Sequence, residues 1–521
     1  VLPFENLGDP ADAHFAVGMT DEILTRLASL SGIIVIDRES SYRYRPKETS
    51  IKDIGDRLGV DYVLRGTIRW DGRTAPGSRI RITPRLVAVD DSRNVWAEAY
   101  EEDFESVFEL QARIGEQVAE ALGVTLGTST EEVIHVTPTT NLAAYEDFLL
   151  ARAMVRKSPD TSEFPEAERL LGSALKKAPE FADAHAWLSM LSTDSYHYFS
   201  DRSASRLELA RVSFEKALEI NPELPEAHLA EGRYHYYAHR DYGKALKALE
   251  QVLELRPNDW MGIHYTGILK KRQGRFEEAL PWFRKAQEIN PLISWPVTEE
   301  AVVLRCMGRN EESEEVYLRA IARWPDKKTP YIGLVRHYIK MDGNTSRARP
   351  LLERAEGGSG PEIGPGDWVP ILRLERRFEE ALVETERMSQ EGDGRMNQRI
   401  LRADLHWLMG NVESMRANAD SVRVILEEKI AENPDEDWWH VLRGKMLAYL
   451  GRTEEALVES ERARTGMPID KDAIFGPEVA MNLAETSVIC GRYEDALDQL
   501  ELLAPRSLFL SPAILENDPT W

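Results

Sequence analysis

The chain has 521 residues, with 65 Lys and Arg against 89 Asp and Glu, a formal net charge of −24. That acidic balance argues against duplex nucleic acid or an anionic membrane surface as the main partner. Two cysteines, Cys306 and Cys490, exclude a disulfide scaffold and a four-cysteine zinc site, and a hydrophobic content of 42% is that of a chain with a packed core. At ~150 residues per domain the length suggests three or four domains, unless repeats void the count. No apolar run approaches the ~20 residues that cross a bilayer, and no signal-peptide pattern opens the chain. It begins Val1-Leu2-Pro3-Phe4, without Met and inside an apparent strand. The expectation is a piece of a longer protein.

Residues 1–126 mix short β-like runs with helices. Asp21 to Leu30 places Ile23, Leu24, Leu27 and Leu30 at helical spacing, with Thr20 as the expected N-cap. Gly32 ends that helix, and Ile33-Ile34-Val35-Ile36 follows as an expected buried strand. Ile51 to Leu58 predicts a second helix closed by Gly59. Tyr62 to Trp70, Arg79 to Thr83 and Val95 to Tyr100 predict three strands, the last two alternating polar and apolar residues. Asp71 to Gly77 is the expected hairpin loop, and Val107 to Leu122 an amphipathic helix. The order β-α-β-α-β-β-β-α predicts one compact α/β domain. A stretch rich in Thr and small residues, 127–140, reads as a linker.

From residue 141 onward the pattern is helical and repeats. Pro257, Pro291 and Pro325 are spaced by 34 residues, as are Pro434 and Pro468. Ala279, Phe283 and Ala286 precede Pro291 by 12, 8 and 5 residues. Ala210, Phe214 and Ala217 before Pro222, Ser313, Tyr317 and Ala320 before Pro325, and Ala456, Ser460 and Ala463 before Pro468 keep the same offsets. Gly274, Gly308 and Gly451 each stand 17 residues before a proline. Small residues at fixed offsets let two helices approach closely; Gly supplies the turn between them, and Pro ends the second.

This pattern resembles the tetratricopeptide repeat. Copies read as Ala182–Pro222, Glu223–Pro257, Asn258–Pro291, Leu292–Pro325, Asp435–Pro468 and Ile469–Pro505, with a divergent one over Leu142–Pro179 and two or three degenerate ones over 326–433. The strings Val1-Leu2-Pro3-Phe4-Glu5-Asn6-Leu7, Phe15 to Glu22, Leu58 to Thr67 and Val95 to Tyr100 resemble the TolB-like amino-terminal domain. The expected fold is α+β overall: a small α/β domain over 1–126, a linker over 127–140, an all-α tetratricopeptide superhelical solenoid of nine or ten repeats over 141–505, and a carboxy-terminal tail over 506–521. The tail is apolar-rich and caps nothing by its own pattern. In bacteria, the resemblance implies, this pair forms the carboxy-terminal half of signalling proteins whose front half is a serine/threonine kinase, a nucleotide cyclase or a winged-helix DNA-binding domain, in the cytoplasm or outside a membrane-anchored parent. It implies no catalytic residues.

Kinase loops and a Walker A motif are absent. Gly357 to Gly366 holds Pro361 and Pro365 with no following Lys-Ser or Lys-Thr, and reads as an irregular inter-repeat loop. His235 and His239 are spaced for a shared metal, with His228 seven residues earlier. His235 nevertheless falls where these repeats pack a ring, and no acid completes a ligand set. Ser40 to Lys47 interleaves aromatic and basic residues as single-strand binders do, yet its domain is net acidic, and a solvated loop is the plainer reading. Trp438-Trp439 is either an exposed aromatic anchor or a helix start with one Trp packed on the previous repeat. No cofactor or metal is expected.

In the resembled family the first helix of each hairpin lines the groove. Carrying those positions over gives Glu226, Arg233 and Tyr236, then His264 and Lys271, then Trp295 and Arg305, and finally Trp438 and Lys445. Arg233, Lys271, Arg305 and Lys445 would form a cationic stripe suited to an acidic peptide. The expected function is a non-catalytic protein–protein interaction scaffold that binds a protein or peptide, with no nucleic acid and no direct membrane insertion. The alternatives are a fragment of a kinase or cyclase whose catalytic domain lies upstream, and a filament-forming solenoid that self-associates through its ends or its α/β domain.

Overall fold

The computed structural model describes residues 1–10, 13–30, 32–44, 48–71, 79–103, 107–124, 138–157, 161–198, 201–356, 361, 363–389, 392–505 and 510–521. The chain divides into two compact units, Val1–Thr266 with Lys285–Ile293, and Gly267–Arg284 with Ser294–Trp521. It is a small α/β part followed by an all-α run of helical hairpins. Among the described residues no helix is long and apolar enough to cross a membrane.

The α/β part is built on one sheet. β1 (Glu5–Asn6) runs parallel to β2 (Tyr62–Asp71), which pairs antiparallel with β3 (Arg79–Ala88) in the register Ile68↔Ile82 and Trp70↔Ile80. β3 then pairs with both β4 (Asn94–Ala97) and β5 (Tyr100–Asp103), so the single strand expected from Val95 to Tyr100 is two short ones. Alternation along β3 buries Ile80, Ile82 and Leu86. Of the helices, α1 (Ala13–Ala28), α2 (Arg38–Ser41), α3 (Ile51–Leu58) and α4 (Val107–Ala121), α3 ends as expected with Gly59 at φ +66°.

Two expectations are corrected here. Thr20 does not cap α1 but lies within it: buried Phe15, Ala16 and Met19 extend the apolar face toward the N-terminus. Its hydroxyl donates to the Ala16 carbonyl at 2.8 Å and accepts the Phe4 N–H at 3.0 Å. The run Ile33-Ile34-Val35-Ile36 is not a strand. Its neighbours along the backbone are helical-repeat groups rather than a sheet: the Ile33 carbonyl accepts from Asn258 Nδ2 at 2.8 Å, and the Asp37 N–H donates to the Ile289 carbonyl at 2.9 Å. Val35 and Ile36 are buried, but Ile34 is 59% exposed. The hairpin loop expected at 71–77 lies beyond Asp71 outside the described residues. Most of the linker does too.

The repeats begin in the first unit with α5 (Leu142–Lys157), α6 (Phe164–Lys177), α7 (Ala182–His197), α8 (Ala204–Ile220), α9 (Pro225–His239) and α10 (Tyr242–Leu255). The division of units cuts across α11 (Trp260–Arg272) and α12 (Phe276–Ile289). The second unit continues with α13 (Trp295–Cys306), α14 (Asn310–Arg323), α15 (Lys328–Asp342), α16 (Ala348–Glu356), α17 (Pro365–Leu374), α18 (Phe378–Glu386), α19 (Gly392–Leu408), α20 (Val412–Glu432), α21 (Asp437–Tyr449), α22 (Thr453–Gly466), α23 (Phe475–Ile489), α24 (Tyr493–Leu503) and α25 (Pro512–Asn517). Among the described residues the helices from α5 to α24 follow as ten hairpins, three of them within the degenerate stretch 326–433. The alanines at the fixed offsets, Ala210, Ala217, Ala279, Ala286, Ala456 and Ala463, are fully buried between helices. Gly308 and Gly451 turn the chain at φ +75° and +79°, and Arg240 takes the same position in its repeat at φ +49°. Of the glycine-rich segment, 357–360 and 362 lie outside the described residues. α17 starts after it with the Asp367 carboxylate accepting the Gly364 N–H at 2.8 Å.

Within the first unit the α/β part docks on α5. Phe108 meets Tyr145 edge-on with centroids 4.8 Å apart. Gly18 faces Leu149 so closely that a Cβ there would come within 2.5 Å of Leu149 Cδ1. Buried Arg152 binds Glu22 at 2.6 Å. A second seam joins Ser40 to Asn290 and, at 2.9 Å, to the Leu292 N–H. Ser40 and Ser41 are thus buried, and Tyr42 donates to Asp21 at 2.7 Å. The aromatic and basic segment is a packed seam over 40–44 rather than a solvated loop, and residues 45–47 lie outside the described ones.

Candidate partner-binding site

The expected groove positions fall on the first helices of their hairpins, and the structure sorts them by what they touch. In the first unit, Arg233 on α9 pairs with Asp194 on α7. Its guanidinium lies 5.9 Å from the Tyr237 ring and 5.6 Å from the Tyr265 ring. Tyr237 and Tyr265 join hydroxyls at 3.1 Å, and His197 stacks on Tyr237 at 4.0 Å between centroids. Tyr236 packs against Tyr237 and Tyr242, and His264 against Trp260 and Tyr265. Burial pushes the Asp194 carboxyl up, with Arg233 pulling it back. One ring of aromatics thus encloses an ion pair shared by three successive first helices.

A second buried charge cluster gathers at the starts of these helices. Glu226 binds Arg256 at 3.0 Å, and Arg256 also reaches Asp259 at 3.0 Å. Nearby Asp183 is pushed up to about 7 by burial and by the negative charges of Glu226 and Glu22, against the pull of Arg152.

In the second unit, Lys271 is buried against Glu299 of α13. Lys445 on α21 lies between Asp404 of α19 at 3.1 Å and Glu485 of α23 at 2.8 Å, and Tyr449 donates to Asp404 at 2.6 Å. Burial pulls the Lys445 ammonium down, but the two carboxylates outweigh it and hold it above its usual value. Arg305 is buried, which lowers its pKa. Trp295 opens α13. Trp439 is buried beneath Lys429, whose ammonium stands 5.0 Å from the ring, while Trp438 is half-buried against two core clusters. The Trp pair therefore starts a helix and packs.

The cationic stripe takes a different form from the expected one. Arg233, Lys271 and Lys445 do lie on first helices, but each is buried and neutralised by an acid on a neighbouring first helix. The signal was present in the sequence as Asp194, Glu299, Asp404 and Glu485, one repeat away. It is visible only when adjacent repeats are aligned side by side.

Burial pushes the Cys306 thiol up to about 11 and also raises Cys490, so neither offers a thiolate at neutral pH. His228 meets the Pro222 carbonyl at 2.8 Å, and His239 the Tyr234 hydroxyl at 3.0 Å. His235, His239, Glu231 and Asp241 line an open cavity of about 610 Å³ with Phe214 and Arg211. Among the described residues no group of three or more His, Cys, Asp or Glu is arranged to hold a metal ion.

Helical hairpins with these offsets form an array of tetratricopeptide type. A family model described as Tetratricopeptide repeat matches residues 229–292. Over 230 residues the chain is 33% identical to Putative adenylate cyclase 3 of Rhizobium meliloti (strain 1021), covering 44% of this chain and 38% of the relative. It is 25% identical over 173 residues to the Peroxisomal targeting signal receptor of Kluyveromyces lactis, covering 30% of each. The chain thus spans about a third of the length of these curated relatives. A solved tetratricopeptide repeat protein from Parabacteroides merdae ATCC 43184 is similar at 20% identity and a TM-score of 0.36, over 47% of this chain and 92% of its own.

Proposed function

We propose that this chain is a non-catalytic interaction module, the recruiting or sensory part of a bacterial signalling protein, in which first-helix faces bind a protein or peptide. Residues 1–126 act as a TolB-like domain, 127–140 as a linker, 141–505 as the binding solenoid and 506–521 as its tail. The observation that carries the reading is the buried Asp194–Arg233 pair with its ring of tyrosines: it ties three successive first helices together beneath the face a partner would meet, as preorganised recognition requires. Glu226, Tyr236, His264, Lys271, Trp295, Arg305, Trp438 and Lys445 support or border such faces. The similarity to a protein named as a putative adenylate cyclase favours a parent whose catalytic domain lies outside this chain.

A photo-crosslinking residue tests this at two positions that flank first-helix faces, Tyr198 at the end of α7 and Phe475 in the first turn of α23, and at two second-helix positions, Leu318 and Val458, all of them exposed. Crosslinked partner is expected from the first pair and not from the second. Equal yields from all four would refute the reading. The purified chain is also expected to form no cyclic AMP from ATP and Mg²⁺.

A further inference from the structure

Residues 510–521 lie within the second unit against helices far from them in sequence. Leu510 and Ile514 are buried, and with Leu515 and Trp521 they join a cluster that includes Cys306 of α13, Ile339 of α15, Leu374 of α17, and Ala484 and Val488 of α23. The Ser511 hydroxyl donates to the Lys340 carbonyl at 2.5 Å across 171 residues, and the same hydroxyl caps α25 by accepting the Ile514 N–H at 3.2 Å. Arg373 at the end of α17 donates two bonds of 2.8 Å to the Asp518 carboxylate and a further one to Thr520. At Gly343 the segment comes so close that a Cβ would stand 2.1 Å from the Ala513 carbonyl oxygen.

A helix that merely closes an array packs on the last hairpin. This segment also reaches α15 and α17, the first helices of earlier hairpins. Its contacts are those of a bound peptide: apolar anchors in a pocket, a bidentate carboxylate clamp and a close backbone approach at a glycine. α25 is six residues long, too short to hold helical form without the surface it rests on.

We propose that this first-helix surface of the second unit is a peptide-binding site for a short apolar helix followed by an Asp-x-Thr turn, and that residues 510–521 are its resident occupant, displaced when a partner peptide of that chemistry binds. The inference deepens the interaction-module reading and rests on it. Arg373 is the specificity-determining residue, because the bidentate geometry selects a carboxylate four residues after the apolar anchor.

The test uses the full chain and an Ile514→Asp/Asp518→Ala variant that opens the site, with a fluorescein-labelled synthetic peptide of residues 510–521 as probe in fluorescence anisotropy. The opened chain is expected to bind the peptide at least tenfold more tightly than the unaltered chain, and Arg373→Ala in the opened background to weaken it at least tenfold. Equal binding to the opened and unaltered chains overturns the proposal, as does no binding to an opened chain with an unaltered circular dichroism spectrum. Neither result touches the crosslinking expected at Tyr198 in the first unit, so the two readings fail separately. An unaltered chain that sediments as a dimer while the opened chain is a monomer assigns the surface to a second copy and also overturns the proposal. Should the variant fold poorly, hydrogen exchange on the unaltered chain decides: amides of 513–517 are expected to exchange at least a hundredfold faster than the core of α23, and equal rates overturn it.

Discussion

His337 on α15 is 1% exposed. Burial first, and then the positive charges of Arg305 and Arg347, lower it to about 4, with Glu314 and Asp342 pulling the other way. An unfolded histidine titrates near 6.5. Between those values the unfolded chain binds a proton that the folded chain refuses, so the stability is complete above pH 6.5 and is lost as pH falls toward 4. His337→Gln is expected to reduce the drop in unfolding free energy between pH 7.5 and pH 4.5 by about 2 kcal/mol, measured by urea denaturation. The residue illustrates a limit of legibility. Its stretch was expected only as part of a degenerate repeat, and its proton affinity depends on Arg305, one hairpin away.

At the scale of elements, first helices are stitched to one another by single charged side chains. Lys445 joins α21 to both α19 and α23. Replacing it with Met leaves the half-buried Asp404 and Glu485 without their cation, which is expected to destabilise the second unit by about 1–3 kcal/mol. The triple variant Lys445→Met/Asp404→Asn/Glu485→Gln is expected to recover more than half of that loss, read as the shift in urea midpoint. Turn glycines and the small residues between helices were legible in the well-matched repeats, because each is a local requirement repeated at a fixed offset, whereas the hairpins of 326–433 were legible only as two or three degenerate copies. The acids that complete the ion pairs were not, because those contacts join residues 28 to 41 positions apart. A repeat considered alone contains only one side of each pair.

The whole molecule combines a small sheet with hairpins that mostly lean on their neighbours in sequence. Such arrays unfold in parts rather than as one body. Calorimetry is expected to show a measured enthalpy larger than the van't Hoff value, with far-ultraviolet circular dichroism and tryptophan fluorescence giving different midpoints in urea. Long-range contacts oppose this in the second unit. The loop before α23 returns to the end of α11, where the Ala473 N–H donates to the Arg272 carbonyl at 2.7 Å and Arg272 covers the Phe475 ring at 3.8 Å. Residues 510–521 add a second such bridge through Arg373 and Lys340.

Composition and periodicity by themselves determined an α/β start and a run of helical hairpins with buried alanines and turning glycines, because those features follow from helix geometry and steric fit within about 34 residues. Only the tertiary structure decided that Ile33 to Ile36 stays out of the sheet, that the cations on the first helices are already neutralised, and that an apolar stretch capping nothing by its own pattern occupies the faces of distant helices. Each of those outcomes depends on which side chains meet across the chain, and charge pairing and apolar burial are decided by proximity in space, not by spacing in sequence.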